Sequence, residues 1–116
     1  MYDILTSKAV ERDPSGLDSH EPGAKLDAGK NRLGLVLGGF ARALQEVGRV
    51  GTYGAEKYSP NGWRHVKDGK ERYLDALYRH LFEDAISPID DSGLLHMAQV
   101  AWNALAVLEI RLRGDR

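Results

Sequence analysis

The stretch GAEKYSPNGWR, residues 54–64, gathers a carboxylate, two cations, a tyrosine and a tryptophan around a Pro-Asn-Gly turn. Glu56 could help hold a cation and Lys57 could meet a phosphate. Tyr58 and Trp63 offer flat faces, and Asn61 carries both a donor and an acceptor with which to read a base edge. Pro60 presets φ for one corner of the turn, while Asn61 and Gly62 tolerate the positive φ of the next. Together these groups suit the grip of something flat and negatively charged. The plainer reading is a capped helix end with a Trp lid. Upstream, Lys25, Lys30 and Arg32 in the Gly-spaced run GAKLDAGKNR suit the tail of a polyphosphate. That run is not a Walker A loop, because Ala24 stands where the first Gly belongs and Asn31 where Ser or Thr belongs.

Downstream, Asp75 lies between Arg72 and Arg79. A carboxylate held between arginines stays ionised and could bind a hard cation such as Mg²⁺. Glu71, Asp75 and Arg79 follow at i, i+4 and i+8, whereas His80, Glu83 and Asp84 read as solvated helix surface. His96, Gln99 and Asn103 fall on one face of a later, apolar helix. Three hydrogen-bonding groups inside such a face need partners, in a structural network between helices or in a ligand. The chain has no cysteine, hence no thiol nucleophile and no Cys-ligated zinc. His20, His65, His80 and His96 show no zinc-ligand spacing.

The elements that carry these residues read as helices. Leu33, Leu37, Phe40, Leu44 and Val47 recur at spacings of four and three, forming one apolar stripe, and the glycines among them point to close helix–helix approach or a break near Gly48–Gly51. A second helix starts at Asp68, where Glu71 completes a capping-box spacing, and Pro88 stops it. A third opens at Asp91 or Ser92 and runs to Arg113, closed by Gly114. No strand-like alternation appears. The expected fold is all-α, a small helical bundle of residues 23–116, with residues 1–22 as a flexible or partner-docking arm. Helix three is apolar nearly all round from Leu94 to Ile110 and exceeds what so short a chain can cover. A homo-oligomer, a dimer or a dimer of dimers, is the natural completion.

Composition narrows the partners. The 116 residues carry a formal net charge of −1, with 42% hydrophobic and 28% charged residues, so no overall field recruits a nucleic-acid polymer or a membrane surface. The longest apolar run, Val100–Ile110, is too short to span a bilayer, and the N-terminus lacks the pattern of a secretory signal. The lack of cysteine fits a reducing cytoplasm.

GAEKYSPNGW, RYLDALYRHL and DDSGLLHMAQVAWNAL, preceded by KLDAGKNR, occur in an order that resembles the MazZ-type phage nucleotide diphosphohydrolases, small relatives of the MazG-like pyrophosphohydrolases. The resemblance covers residues 23–113. It implies an oligomeric all-α enzyme, in the host cytoplasm, that hydrolyses a purine (deoxy)nucleoside triphosphate to the monophosphate and pyrophosphate with Mg²⁺ or Mn²⁺. dGTP is the expected substrate, and dGMP would supply the synthesis of 2-aminoadenine DNA. The MazG signature pairs a Glu-Glu-x-x-Glu helix with a Glu-x-x-Asp helix; its echoes here are Glu46, Glu71 and Asp75, with Glu56, Asp91 and His96 filling in. The resemblance thus implies metal ligation by Glu46, Glu56, Glu71, Asp75 and Asp91, and catalysis by Asp75, Glu56 and Lys57. The phosphates would meet Lys25, Lys30, Arg32, Lys57, Arg72 and Arg79. Trp63 or Tyr58 would stack on the base, with Asn61 or Asn103 reading its edge and His96 lining the site. The competing class is a non-catalytic helical nucleotide-binding or oligomeric phage accessory module.

Overall fold

The computed structural model describes residues 11–114. Its elements are α1 (Gly34–Leu37), α2 (Ala41–Lys57), a 3-10 turn (Gly62–His65), α3 (Gly69–Asp84) and α4 (His96–Arg113). Among the described residues there is no strand, only an isolated antiparallel bridge between Ile89 and Leu95. The fold is all-α. The chain divides into two compact units between Gly39 and Phe40.

In the first unit the described part of the expected arm is turned rather than extended. Asp13 is buried, and its carboxylate accepts the Ser15 N–H at 2.6 Å and the Lys25 N–H at 3.1 Å. The Ala28 N–H reaches the Arg12 carbonyl at 3.1 Å. One buried side chain accepting two backbone donors helps close residues 12–28 into a loop. The remaining part of the expected arm, residues 1–10, lies outside the described residues. Lys25, Lys30 and Arg32 are exposed members of this unit.

The single stripe from Leu33 to Val47 does not form one helix. The break falls at Gly38–Phe40, where Phe40 leaves helical geometry at φ −118°, ψ 31°. α2 then runs through Gly48, Gly51 and Gly54 without interruption. Gly51 faces the Trp102 indole: a Cβ there would stand 3.5 Å from Nε1, an ordinary van der Waals contact, so the indole packs close to this turn of α2.

In the second unit α4 packs against both α3 and α2. Its inward face, Ala98, Ala106, Val107 and Ile110, makes most of the buried core. The small side chains allow close approach, and Gly69 at the start of α3 lies beneath Tyr73 and Ile110. Trp63, Tyr73 and Trp102 meet edge to face, with ring centroids 5.6–6.3 Å apart. The Tyr73 hydroxyl donates to the Trp63 carbonyl at 2.8 Å. This cluster fastens the 3-10 turn to α3 and α4, with each ring edge on a neighbour's π face.

Two helix starts differ from expectation. Asp68 is the residue before α3, but it sits in the left-handed region at φ 56° and its side chain makes no capping bond. The expected capping box is therefore absent. α4 begins at His96 rather than at Asp91 or Ser92, because Asp90 organises the intervening residues differently. α3 ends at Asp84, ahead of Pro88, and Gly114 closes α4 at φ 76°, both as the sequence predicts.

Candidate active site

Where α3 and α4 run side by side, His80 and His96 face each other, their Nδ1 atoms 2.8 Å apart. Glu83, one turn on from His80, brings Oε2 within 3.9 Å of His80 Nδ1 and 3.6 Å of His96 Nδ1. His96 is buried and His80 half-buried, while Glu83 remains exposed. Two protonated rings at this separation would repel strongly, so the contact is satisfied when one ring donates N–H to the other's lone pair. Burial, and then the adjacent His96, hold His80 below the ordinary imidazole value against the opposing pull of Glu83 and Asp90. His80 is thereby held neutral, with a lone pair to offer.

The loop before α4 sets the position of His96. Asp90 Oδ1 accepts the Ser92 N–H at 2.9 Å, the Ser92 hydroxyl at 2.6 Å and the Leu94 N–H at 3.0 Å. Its Oδ2 accepts the Gln99 amide at 2.6 Å. Burial raises the Asp90 carboxyl, but the bonds from Ser92, Gln99 and Leu94 outweigh it and hold the group at about 2. The captured N–H groups cannot open a helix at Ser92. Helix entry waits until His96, whose own N–H donates to the Pro88 carbonyl at 2.9 Å.

An open recess of about 430 Å³ lies over the histidine pair. Besides His80, His96 and Glu83, its walls are Asp90, Asp91, Ser92 and Gln99 from the loop and α4, and Tyr53 and Lys57 from α2. Lys57 Nζ stands 5.9 Å from the Tyr53 ring centre and 5.3 Å from that of Tyr58, so the cation lies between two aromatic faces. A cation, two imidazoles and carboxylates around one opening are suited to a phosphate ester and a water to attack it.

The structure brings some of the sequence-derived residues here and not others. Lys57, Asp91 and His96 line the recess. Glu56, Glu71 and Asp75 are exposed outside it, and Glu46 is engaged by Arg49 at 2.9 Å. Among the described residues the histidine–glutamate trio is the one group of three or more such side chains whose ligand atoms lie within 4.8 Å of one another, so those four carboxylates do not converge. Arg72 donates to the Lys67 carbonyl at 3.1 Å, and Arg79 is exposed. Asn61 takes the left-handed corner of its turn at φ 59°, as its chemistry allows. Tyr58 is exposed, while Trp63 is half-buried in its aromatic cluster beneath the Arg64 guanidinium. Asn103 is buried and donates to the Gln99 carbonyl at 2.8 Å. Two lining residues read from sequence as plain helix surface, His80 and Glu83, prove to face His96. The signal that could have found them is the pairing of His80 with the polar face of the next helix.

The family described as dATP/dGTP diphosphohydrolase, N-terminal, matches residues 20–116, and the chain belongs to it. Similarity extends to a dATP/dGTP diphosphohydrolase of Salmonella phage PMBT28, 38% identical over 81 residues, which cover 68% of this chain and 26% of the relative. The chain thus spans about a quarter of that relative's length. No solved structure matches the chain. No helix among the described residues is long and apolar enough to cross a membrane.

Proposed function

We propose that this chain hydrolyses a purine deoxynucleoside triphosphate to the monophosphate and pyrophosphate in the recess between α2, α3 and α4. The observation that carries this reading is the convergence of Lys57 with the His80–His96 pair in a member of this family. Water attacks the α-phosphorus, the bond from that phosphorus to the α–β bridging oxygen breaks, and pyrophosphate departs with the bridging oxygen. Lys57, carried on the last turn of α2, neutralises charge that builds on the phosphoryl oxygens. Ser92 and Gln99 are hydrogen-bonding groups at the same opening, and Asp90 keeps them and His96 in register. Tyr53 and Tyr58 are the aromatic faces nearest Lys57 and the candidates for contact with the base.

The residues present fit a divalent cation: His80, His96, Glu83 and Asp91 offer nitrogen and oxygen donors at the recess. A divalent cation held there would supply charge neutralisation on the phosphates and a more acidic water; for the reaction the resemblance implies Mg²⁺ or Mn²⁺. The same reading takes dGTP as the preferred substrate and dGMP as a precursor for 2-aminoadenine DNA, and places the chain in the host cytoplasm. It also takes the active form as a homo-oligomer. Tyr78, Leu81 and Phe82 on α3 and Met97, Leu105, Leu108 and Leu112 on α4 are exposed, more apolar surface than a small monomer ordinarily shows. Incubation with a panel of purine and pyrimidine triphosphates, with product identification, tests the proposal. Release of pyrophosphate from dGTP or dATP supports it, and no turnover of any triphosphate overturns it.

A further inference from the structure

We propose that His80, His96 and Glu83 form a site for a first-row transition-metal dication that takes imidazole nitrogen, rather than a Mg²⁺ site. The three donor atoms, His80 Nδ1, His96 Nδ1 and Glu83 Oε2, define a triangle with sides of 2.8, 3.6 and 3.9 Å. The circle through those three atoms has a radius of about 2.0 Å, and its centre lies inside the triangle, so one point is equidistant from all three donors at the length of a metal–imidazole or metal–carboxylate bond. Calcium, with bonds of about 2.3–2.6 Å, would have to stand out of the donor plane. Magnesium matches the distance but prefers oxygen ligands and retained waters, and two of the three donors here are nitrogen.

The support of the trio is unequal in a way that suits a metal site. His96 is buried at the start of α4, behind the Asp90-organised loop, and His80 is held on α3. Those two nitrogens are fixed by helix packing. Glu83 is exposed and free to adjust as the third ligand. The recess that the trio lines is open, and Lys57 and Asp91 line it as well. The site rests on the function proposed above only for its purpose, since the donor geometry stands without it.

The test uses the full chain stripped of metal by a chelator and titrated with Co²⁺, whose visible absorption reports nitrogen ligation, with imidazole NMR signals followed in parallel. The expected result is one Co²⁺ per chain, displaced by Zn²⁺ and left in place by a large excess of Mg²⁺. Glu83→Gln, a change at an exposed position, weakens Co²⁺ binding by more than about tenfold, the lower end of what loss of a supporting partner costs a metal site. His96→Ala removes the absorption. If wild-type protein takes up no Co²⁺, or if uptake is the same in Glu83→Gln, the site is refuted. Hydrolysis of dGTP measured on the same samples separates the two proposals. Turnover with Mg²⁺ and no Co²⁺ uptake overturns the metal site alone, whereas Co²⁺ uptake without turnover of any triphosphate under any of these metals overturns the proposed function alone.

Discussion

Replacing Asp90 with alanine should loosen the loop that places His96, and its cost can be worked from the four bonds the carboxylate accepts. The two Ser92 donors are exposed and return to water. The Leu94 N–H, in a residue only 6% exposed, and the Gln99 amide are left in a half-buried setting. An orphaned donor of this kind costs about 1–3 kcal/mol, so the substitution should destabilise by about 2–4 kcal/mol. The carboxyl's fall from 3.8 to about 2 gives a second measure, at most about 2.5 kcal/mol and about 1–2 kcal/mol once solvent screening is allowed for. At about 4–8 °C per kcal/mol for a domain of this size, the melting temperature should drop by about 8–32 °C. The sign of the pH dependence follows from a folded value below the unfolded one. The stabilisation is complete above about pH 4 and is lost as pH falls through about 2. Thermal unfolding of both proteins from pH 7 down to 2, at one protein concentration, should show their difference narrowing below pH 4. A drop under about 3 °C at pH 7, or a difference that widens with acid, would refute the role given to Asp90.

Trp63→Ala should act first on stability, because the ring sits edge-on to Tyr73 and Trp102; a loss of about 2–4 kcal/mol by denaturant unfolding is expected for a half-buried aromatic. Leu105→Glu combined with Leu108→Glu places charge on the exposed stripe of α4 and should yield monomers by light scattering without unfolding, whereas an unchanged mass would place the oligomer contact elsewhere. Gly51→Leu should destabilise by about 1–3 kcal/mol in thermal melts, since its Cβ would already touch Trp102 at 3.5 Å and the carbons beyond it would overpack.

Periodicity carried the fold because each helix buries or exposes a face in a regular rhythm, and the stops at Pro88 and Gly114 are local backbone chemistry. The misplaced features depend on contacts that spacing does not encode. The glycines of α2 read as either close helix–helix approach or a break; α2 runs unbroken, and the Trp102 indole lies close to it at Gly51. The entry to α4 moved because a side chain, Asp90, competes for the N–H groups that a helix start would otherwise leave for a cap. Of the recess lining, Lys57 and His96 were legible from residue chemistry, and Asp91 only through the resemblance. His80 and Glu83 were not, because ligand spacing within one helix cannot reveal a pair made across two helices. His80 and His96 are 16 residues apart in sequence and 2.8 Å apart in space.

Steady-state hydrolysis of dGTP by wild-type chain and by Lys57→Met, with products resolved and folding checked by thermal melt, bears on whether the recess is where the triphosphate is cleaved. Lys57 is exposed and outside the core, so the variant should fold normally. Wild type should release dGMP and pyrophosphate. The variant should lose about 100-fold or more in kcat/KM, the scale of removing one fixed positive charge from a phosphoryl transition state. Unchanged turnover in Lys57→Met, or products of dGDP and phosphate or of deoxyguanosine and triphosphate, would contradict the assignment.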